Sequence, residues 1–326
     1  MRALASLALA ALLPACSVAG GPAAAVVGER PRAVSAAPAD PRAETLRLPT
    51  ADDAISVPAS VWRAAEPRAV ALALHGFGDY GPLTYAEAAR AWASGGITVY
   101  APDQRGFGRG ETHGQWPGAS ALIADARTYV RAVRARHPGV PLVLIGHSMG
   151  GGVALAAAGR GADIDALVLA APAIWGGARL SAFQRALAWT AALVAPDRRL
   201  TGEGVIEIQA SDNLAALRRL GADPYYIGAP SPRELLGLVR GLDAAEAVAP
   251  AVDVPALLLL GERDEIVPAG KARAVFARLS GETTAIAYPE GWHLLFRDRQ
   301  AARVWADVGT WMLALAAETR EAAAPR

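Results

Sequence analysis

The sequence has a single cysteine, almost no net charge, few aromatic residues and no long hydrophobic run away from its start. One cysteine, Cys16, among 326 residues excludes an internal disulfide and a cysteine-based zinc site. The histidines, His75, His113, His137, His147 and His293, include no His-Glu-x-x-His pair, so a metal is not expected. With 32 Lys and Arg against 31 Asp and Glu, no basic surface is available to neutralise phosphates, and nucleic acid is not an expected partner. What the chain has in quantity is apolar residues, at 53%, enough for one large core or a domain with an insertion.

The first apolar run, Leu4 to Leu13 behind Arg2, has the layout of a secretory signal and is short for a membrane span. It ends in Leu13-Pro14-Ala15-Cys16, which resembles the lipobox of bacterial lipoproteins although Pro14 departs from the usual residue there. The resemblance implies a signal over 1–15 and a lipid anchor on Cys16, and hence an exported protein of the bacterial cell envelope, held to a membrane. The alternative is an ordinary secretory signal with an incidental cysteine. Residues 16–43 are rich in Ala, Pro and Gly and read as a disordered tether. As a flexible coil it would reach roughly 25–30 Å.

From residue 44 onward, short apolar runs alternate with stretches at helical spacing, the pattern of an α/β domain with a mostly parallel sheet. Strands are expected near 45–49, 54–62, Ala69–Leu74, Ile97–Ala101, Leu142–Ile145, Ala166–Ala170, Ala256–Leu260 and Thr284–Tyr288. The last five read as buried on both faces. Helices are expected near 83–94, 119–136, 149–160, 270–279 and 298–316. The interval 173–254 has no convincing strand but helical patterns near 181–195, 211–220 and 231–247, and reads as a helical cap inserted into a core of 44–172 and 255–316. Residues 317–326 read as a frayed tail.

The chemistry concentrates at Gly146-His147-Ser148-Met149-Gly150, which follows one strand and precedes one helix. A serine on so sharp a turn needs glycines two residues to either side, where a Cβ would clash. The bland alternative is a tight turn with a capping serine. A serine nucleophile needs a base oriented by a carboxylate. Two later strands run into Glu262-Arg263-Asp264-Glu265 and into Trp292-His293. Loops after parallel strands converge on one sheet edge, so an acid and a base there can meet Ser148. Glu262, Asp264 and Glu265 all stand as acids, and His293 alternatively caps the following helix. His147 is expected to pack or hydrogen-bond, and His113 and His137 to lie on the surface.

With His75-Gly76-Phe77-Gly78, Asp103-Gln104-Arg105-Gly106-Phe107-Gly108, Gly146–Gly150, Asp264-Glu265-Ile266-Val267 and Trp292-His293, residues 54–315 resemble the α/β-hydrolases. More narrowly they resemble the monoacylglycerol lipase and lysophospholipase group. The resemblance implies an α/β-hydrolase fold of about eight strands, a carboxylic-ester hydrolase without cofactor, and a small ester or lipid substrate. It assigns Ser148 as nucleophile, His293 as base and acid, Asp264 as orienter, and the backbone N–H groups of Phe77 and Met149 as the oxyanion hole. Other activities of the fold, amidase, peptidase or acyltransferase, and a non-catalytic surface binding module are the alternatives. A competing pattern is Gly76-Phe77-Gly78-Asp79-Tyr80-Gly81 trailed by Asp103, which fits a dinucleotide fingerprint. Under the hydrolase reading Asp103 and Arg105 instead brace their loop.

Overall fold

The structure, a computed structural model, describes residues 42–174, 189–200 and 208–323. Along the chain lie β1 (Glu44–Pro49), β2 (Ser56–Trp62), β3 (Ala69–Leu74), α1 (Gly81–Ser94), β4 (Ile97–Pro102), α2 (Ala119–Arg134), β5 (Leu142–His147), α3 (Met149–Ala158) and β6 (Ala166–Ala170). They are followed by α4 (Leu214–Ala222), α5 (Pro232–Val248), β7 (Ala256–Gly261), α6 (Ala269–Phe276), β8 (Thr283–Tyr288) and α7 (Ala301–Ala323). The signal, Cys16 and most of the tether lie outside the described residues, as do Phe183 and Leu187 of the expected helix at 181–195.

The strands form one sheet in the order β1-β2-β4-β3-β5-β6-β7-β8. β1 and β2 pair antiparallel, β2 meets β4 antiparallel, and every other pairing is parallel. The inner strands β3 to β7 are buried along their whole length, as expected for Ala, Val, Leu and Ile runs covered by helices on both faces. One face packs on α1 and α7 through Tyr85, Trp92, Val304 and Val308. The other packs on α2, α3, α5 and α6 through Ile123, Val130, Leu155, Ala245 and Val275. Because β4 lies on one side of β3 and β5 on the other, the chain reverses direction across the sheet there. The loops after β3 and β5 part at this point, which is where open α/β sheets hold ligands.

Local sequence explains the helix boundaries. Pro232 opens α5 behind a capping box in which Ser231 and Glu234 satisfy each other's backbone N–H groups, and Asn213 caps α4. Two expectations are corrected. β8 is not buried on both faces: Thr283, Thr284 and Ala285 are exposed, because this strand pairs only with β7 and closes the sheet edge. α7 continues to Ala323 through most of the span expected to fray. Its Ala, Glu and Arg residues there are strong helix formers, and 317–321 project into solvent.

Candidate active site

Ser148 sits between β5 and α3 with φ 53° and ψ −118°, a backbone conformation L-residues rarely adopt. The turn exists because its neighbours lack side chains. A Cβ on Gly146 would stand 2.3 Å from the Gly150 carbonyl oxygen, and one on Gly150 2.2 Å from that of Leu74. The Ser148 N–H donates to the Ala170 carbonyl at 3.1 Å, tying the turn to β6.

Facing the serine is His293, whose Nε2 lies 2.9 Å from Ser148 Oγ and whose Nδ1 lies 2.9 Å from Asp264 Oδ2. A carboxylate can only accept, so Nδ1 carries the proton and Nε2 is left to accept from the serine hydroxyl. The other Asp264 oxygen accepts from the N–H groups of Ile266 and Val267 at 2.8 and 2.9 Å. Burial opposes ionisation of this carboxyl. The adjacent His293 and the two backbone donors outweigh it, holding the pKa below the usual carboxylate value. Of the rival acids, Glu262 is exposed, and Glu265 is exposed and accepts from the Gln209 N–H.

The loop after β3 brings Gly76 against the serine, so that a Cβ there would lie 3.2 Å from Ser148 Cβ. His75, fully buried, locks this loop: Nδ1–H donates to the Gly76 carbonyl at 2.8 Å, and Nε2 accepts from the Gln104 N–H at 2.9 Å. Burial lowers its pKa, keeping the ring neutral. Phe77 packs edge-on against Phe107. Met149, the first residue of α3, has no intrahelical acceptor for its N–H. Its side chain lines an apolar pocket with Trp116, Ile123, Val153 and Leu238.

Asp103 does not face a ribose site. Its carboxylate receives the Gly81 N–H, the Arg109 N–H and the Arg109 guanidinium, and Arg105 pairs with Asp125 through two bonds. Both brace their loop. The competing fingerprint is filled by the protein's own bonds, since Asp79 forms a buried ion pair with Arg297, four residues beyond His293.

His147 is buried, and its Nε2–H donates to the His293 carbonyl at 2.9 Å. Burial, with His293 beside it, pushes its pKa down to about 3. The expectation that His113 and His137 lie on the surface is corrected. His113 is half-buried with its ring against Tyr225, and His137, also half-buried, has Nε2 2.8 Å from the Tyr100 hydroxyl. On the helix expected near 181–195, Trp189, Leu193 and Val194 are exposed. Sequence reasoning missed Asp298, buried and bonded to Ser211 and to the Trp292 N–H. Burial pushes its carboxyl up to about 6, against those two bonds.

The family model for serine aminopeptidase, S33 (Hydrolase_4) matches residues 65–300. The chain belongs to this family. The chain is 28% identical over 255 residues to a monoacylglycerol lipase of Mycolicibacterium smegmatis, covering 76% of this chain and 89% of that one. It is 28% identical over 245 residues to the human monoglyceride lipase, covering 71% and 77%. Among solved structures, a monoacylglycerol lipase of Paleococcus ferrophilus superposes with a TM-score of 0.68 at 22% identity over 79% of this chain and 99% of that one. A carboxyl esterase of Bacillus coagulans superposes at 0.70 with 19% identity, over 84% and 99%. This family member is an α/β-hydrolase.

Proposed function

We propose that this enzyme cleaves carboxylic esters of the monoacylglycerol or lysophospholipid type by acyl transfer through Ser148. The single observation that carries the reading is the hydrogen-bonded row Asp264, His293, Ser148, with both links at 2.9 Å, ending on a serine held out of its preferred backbone conformation. Ser148 Oγ attacks the ester carbonyl while His293 Nε2 takes its proton. The same proton then goes to the departing alcohol oxygen, and water repeats the sequence to release the acid and free Ser148. Asp264 keeps the imidazole in the required tautomer and stabilises its cation. The N–H groups of Phe77 and Met149 receive the developing oxyanion, each contributing about 3 kcal/mol. The Ser148 N–H is already committed to Ala170.

A carboxylic ester suits this site better than the amino terminus of a peptide. An aminopeptidase needs a free carboxylate for the substrate's ammonium group. Among the described residues, Asp264, Glu265 and Asp298 around His293 each accept from the protein's own donors. The curated relatives named as monoacylglycerol and monoglyceride lipases point the same way. The interval between β6 and β7 serves in this reading as a cap over the acyl chain, and lipidation of Cys16 holds the enzyme beside its substrate in the bacterial envelope. No described helix is long and apolar enough to cross a membrane.

The test is hydrolysis of monoacylglycerols, lysophospholipids and aminoacyl amides, with fluorophosphonate labelling of wild type and Ser148→Ala. Ester hydrolysis and labelling that both vanish in the variant are expected. Cleavage of the amides alone would move the assignment to a peptidase, and an unlabelled, well-folded wild type to a binding protein. For the anchor, an alkyne fatty acid fed to a bacterial host should label wild type and not Cys16→Ala.

A further inference from the structure

Of the two backbone N–H groups that flank His293, one ends on a carboxylate of the same loop and the other on a segment distant in sequence. The Trp292 N–H donates to Asp298 Oδ2 at 2.8 Å, and the Leu294 N–H to the Ala210 carbonyl at 3.0 Å. Ala210 belongs to the segment that leads into α4, within the long insertion between β6 and β7. The second Asp298 oxygen receives the Ser211 hydroxyl at 2.6 Å, and Ser211 Oγ in turn accepts the Asn213 N–H at 3.1 Å. Further links join the same two segments. Asn213 Nδ2 donates to the Arg297 carbonyl at 2.8 Å, and the Arg299 N–H to Asp212 Oδ1 at 2.9 Å. Ser211 is fully buried and Asp298 nearly so, so the bond between them is shielded from competition by water. A carboxylate five residues after His293 thus joins the peptide preceding that histidine to a serine 87 residues away.

We infer that Asp298 is a positioning residue for the acyl-transfer reaction, and that it makes the placement of His293 depend on docking of the Ala210–Asn213 segment of the insertion. The inference rests on the proposed function, because it assigns His293 work to do. Its physical basis is the tolerance of proton transfer from Ser148: the Oγ–Nε2 approach is already 2.9 Å, and displacement of a reacting group by about 1 Å can cost about 100-fold. Asp298 hydrogen-bonds Ser211 and the Trp292 N–H, and neither Ser148 nor Asp264. Its hydrogen-bonded path to His293 runs through the Trp292–His293 backbone.

The experiment compares wild type, Asp298→Ala, Asp298→Asn, Ser211→Ala and the Ser211→Ala/Asp298→Ala double variant in the full chain. It reads the second-order rate of fluorophosphonate labelling, and kcat and KM for a small soluble ester, scaled to the folded fraction by near-UV circular dichroism. Asp298→Ala is expected to lower labelling and kcat by about 10- to 100-fold with KM changed by less than about twofold. Asp298→Asn should recover most of the loss, since its amide oxygen still accepts the Trp292 N–H and its NH2 can donate to Ser211. Ser211→Ala should show a smaller drop and add nothing to Asp298→Ala, because both remove one linked array. A labelled wild type whose Asp298→Ala and Ser211→Ala variants react at its own rate overturns the inference alone. A wild type that is not labelled overturns the proposed function and the inference with it. If Asp298→Ala does not fold, Ser211→Ala decides: a several-fold fall in labelling at unchanged KM supports the inference, and an unchanged rate overturns it.

Discussion

His147 donates from Nε2 to the backbone carbonyl of His293, so the residue before the elbow serine holds the histidine that faces that serine. This bond needs only one ring nitrogen. The other, Nδ1, is buried with no partner among the described residues, and a second proton there would create a buried cation beside His293. That is the origin of the depressed pKa of about 3.

A consequence for stability follows. The folded-state pKa of His147 lies below the unfolded value of about 6.5, so its contribution is complete above that pH and is lost as pH falls toward 3. Between those limits the wild type should lose up to about 1.4 kcal/mol per pH unit from this residue. His147→Gln can keep the bond to His293 and does not titrate. Urea midpoints measured from pH 7 to 4 should therefore fall less steeply in the variant; parallel curves would show that His147 is not neutral in the fold for the reason given.

The backbone of Ser148 supplies a second prediction. At φ 53° and ψ −118° a side chain is strained whatever its chemistry, and such strain costs of order 1–3 kcal/mol. Ser148→Gly should therefore be more stable than Ser148→Ala by about 1 kcal/mol, once the greater unfolded-state freedom of glycine is subtracted. Both should be inactive. Thermal unfolding of the pair is the check, and a glycine variant less stable than the alanine one would deny the strain.

The elbow was legible because its signal is local. Two glycines, a serine, and the apolar strand and helix around them all lie within a few turns of chain. Asp264 was ambiguous from its neighbours Glu262 and Glu265 and was singled out only by resemblance. The structure separates the three by burial and by what each carboxylate meets. Asp298 gave no signal, because it stands between Arg297 and Arg299 like any residue of a solvated charge run, and its partner Ser211 is distant in sequence. Asp79 was hidden differently, inside a glycine pattern that suggested a nucleotide. The exposure of β8 could not be read from Thr-Thr-Ala-Ile-Ala-Tyr, since the same residues fit a covered strand, and only the sheet order makes it an edge.

The Asp79–Arg297 pair links the loop after β3 to the segment after His293, with side chains 4% and 12% exposed. Removing one member strands the other charge. Arg297→Met should cost about 3–5 kcal/mol in urea unfolding. Adding Asp79→Asn to it should recover a substantial part, because the uncompensated carboxylate is then gone. Additive losses would mean that the two residues are not coupled as the geometry requires.

The exposed apolar residues of the insertion carry the last prediction. Trp189 and Leu193 are four residues apart within the helical stretch 189–194 and share one face. They remain 56% and 81% exposed, with Val194 at 76%. Exposed apolar side chains clustered on one face can form an interaction surface; the Trp189 ring also carries the Arg240 guanidinium, 4.6 Å from its centroid, and under the proposed function this surface meets lipid. Burying one such side chain is worth about 1.5–3 kcal/mol, so a Trp189→Ser/Leu193→Ser variant should bind vesicles at least about tenfold more weakly. Its rate on emulsified monoacylglycerol should fall accordingly. Its rate on a short, soluble ester should not, because neither residue belongs to the Ser148, His293 and Asp264 row. An equal fall on both substrates would place the two residues in the packing of the insertion, and no fall on either would leave the lipid to another surface.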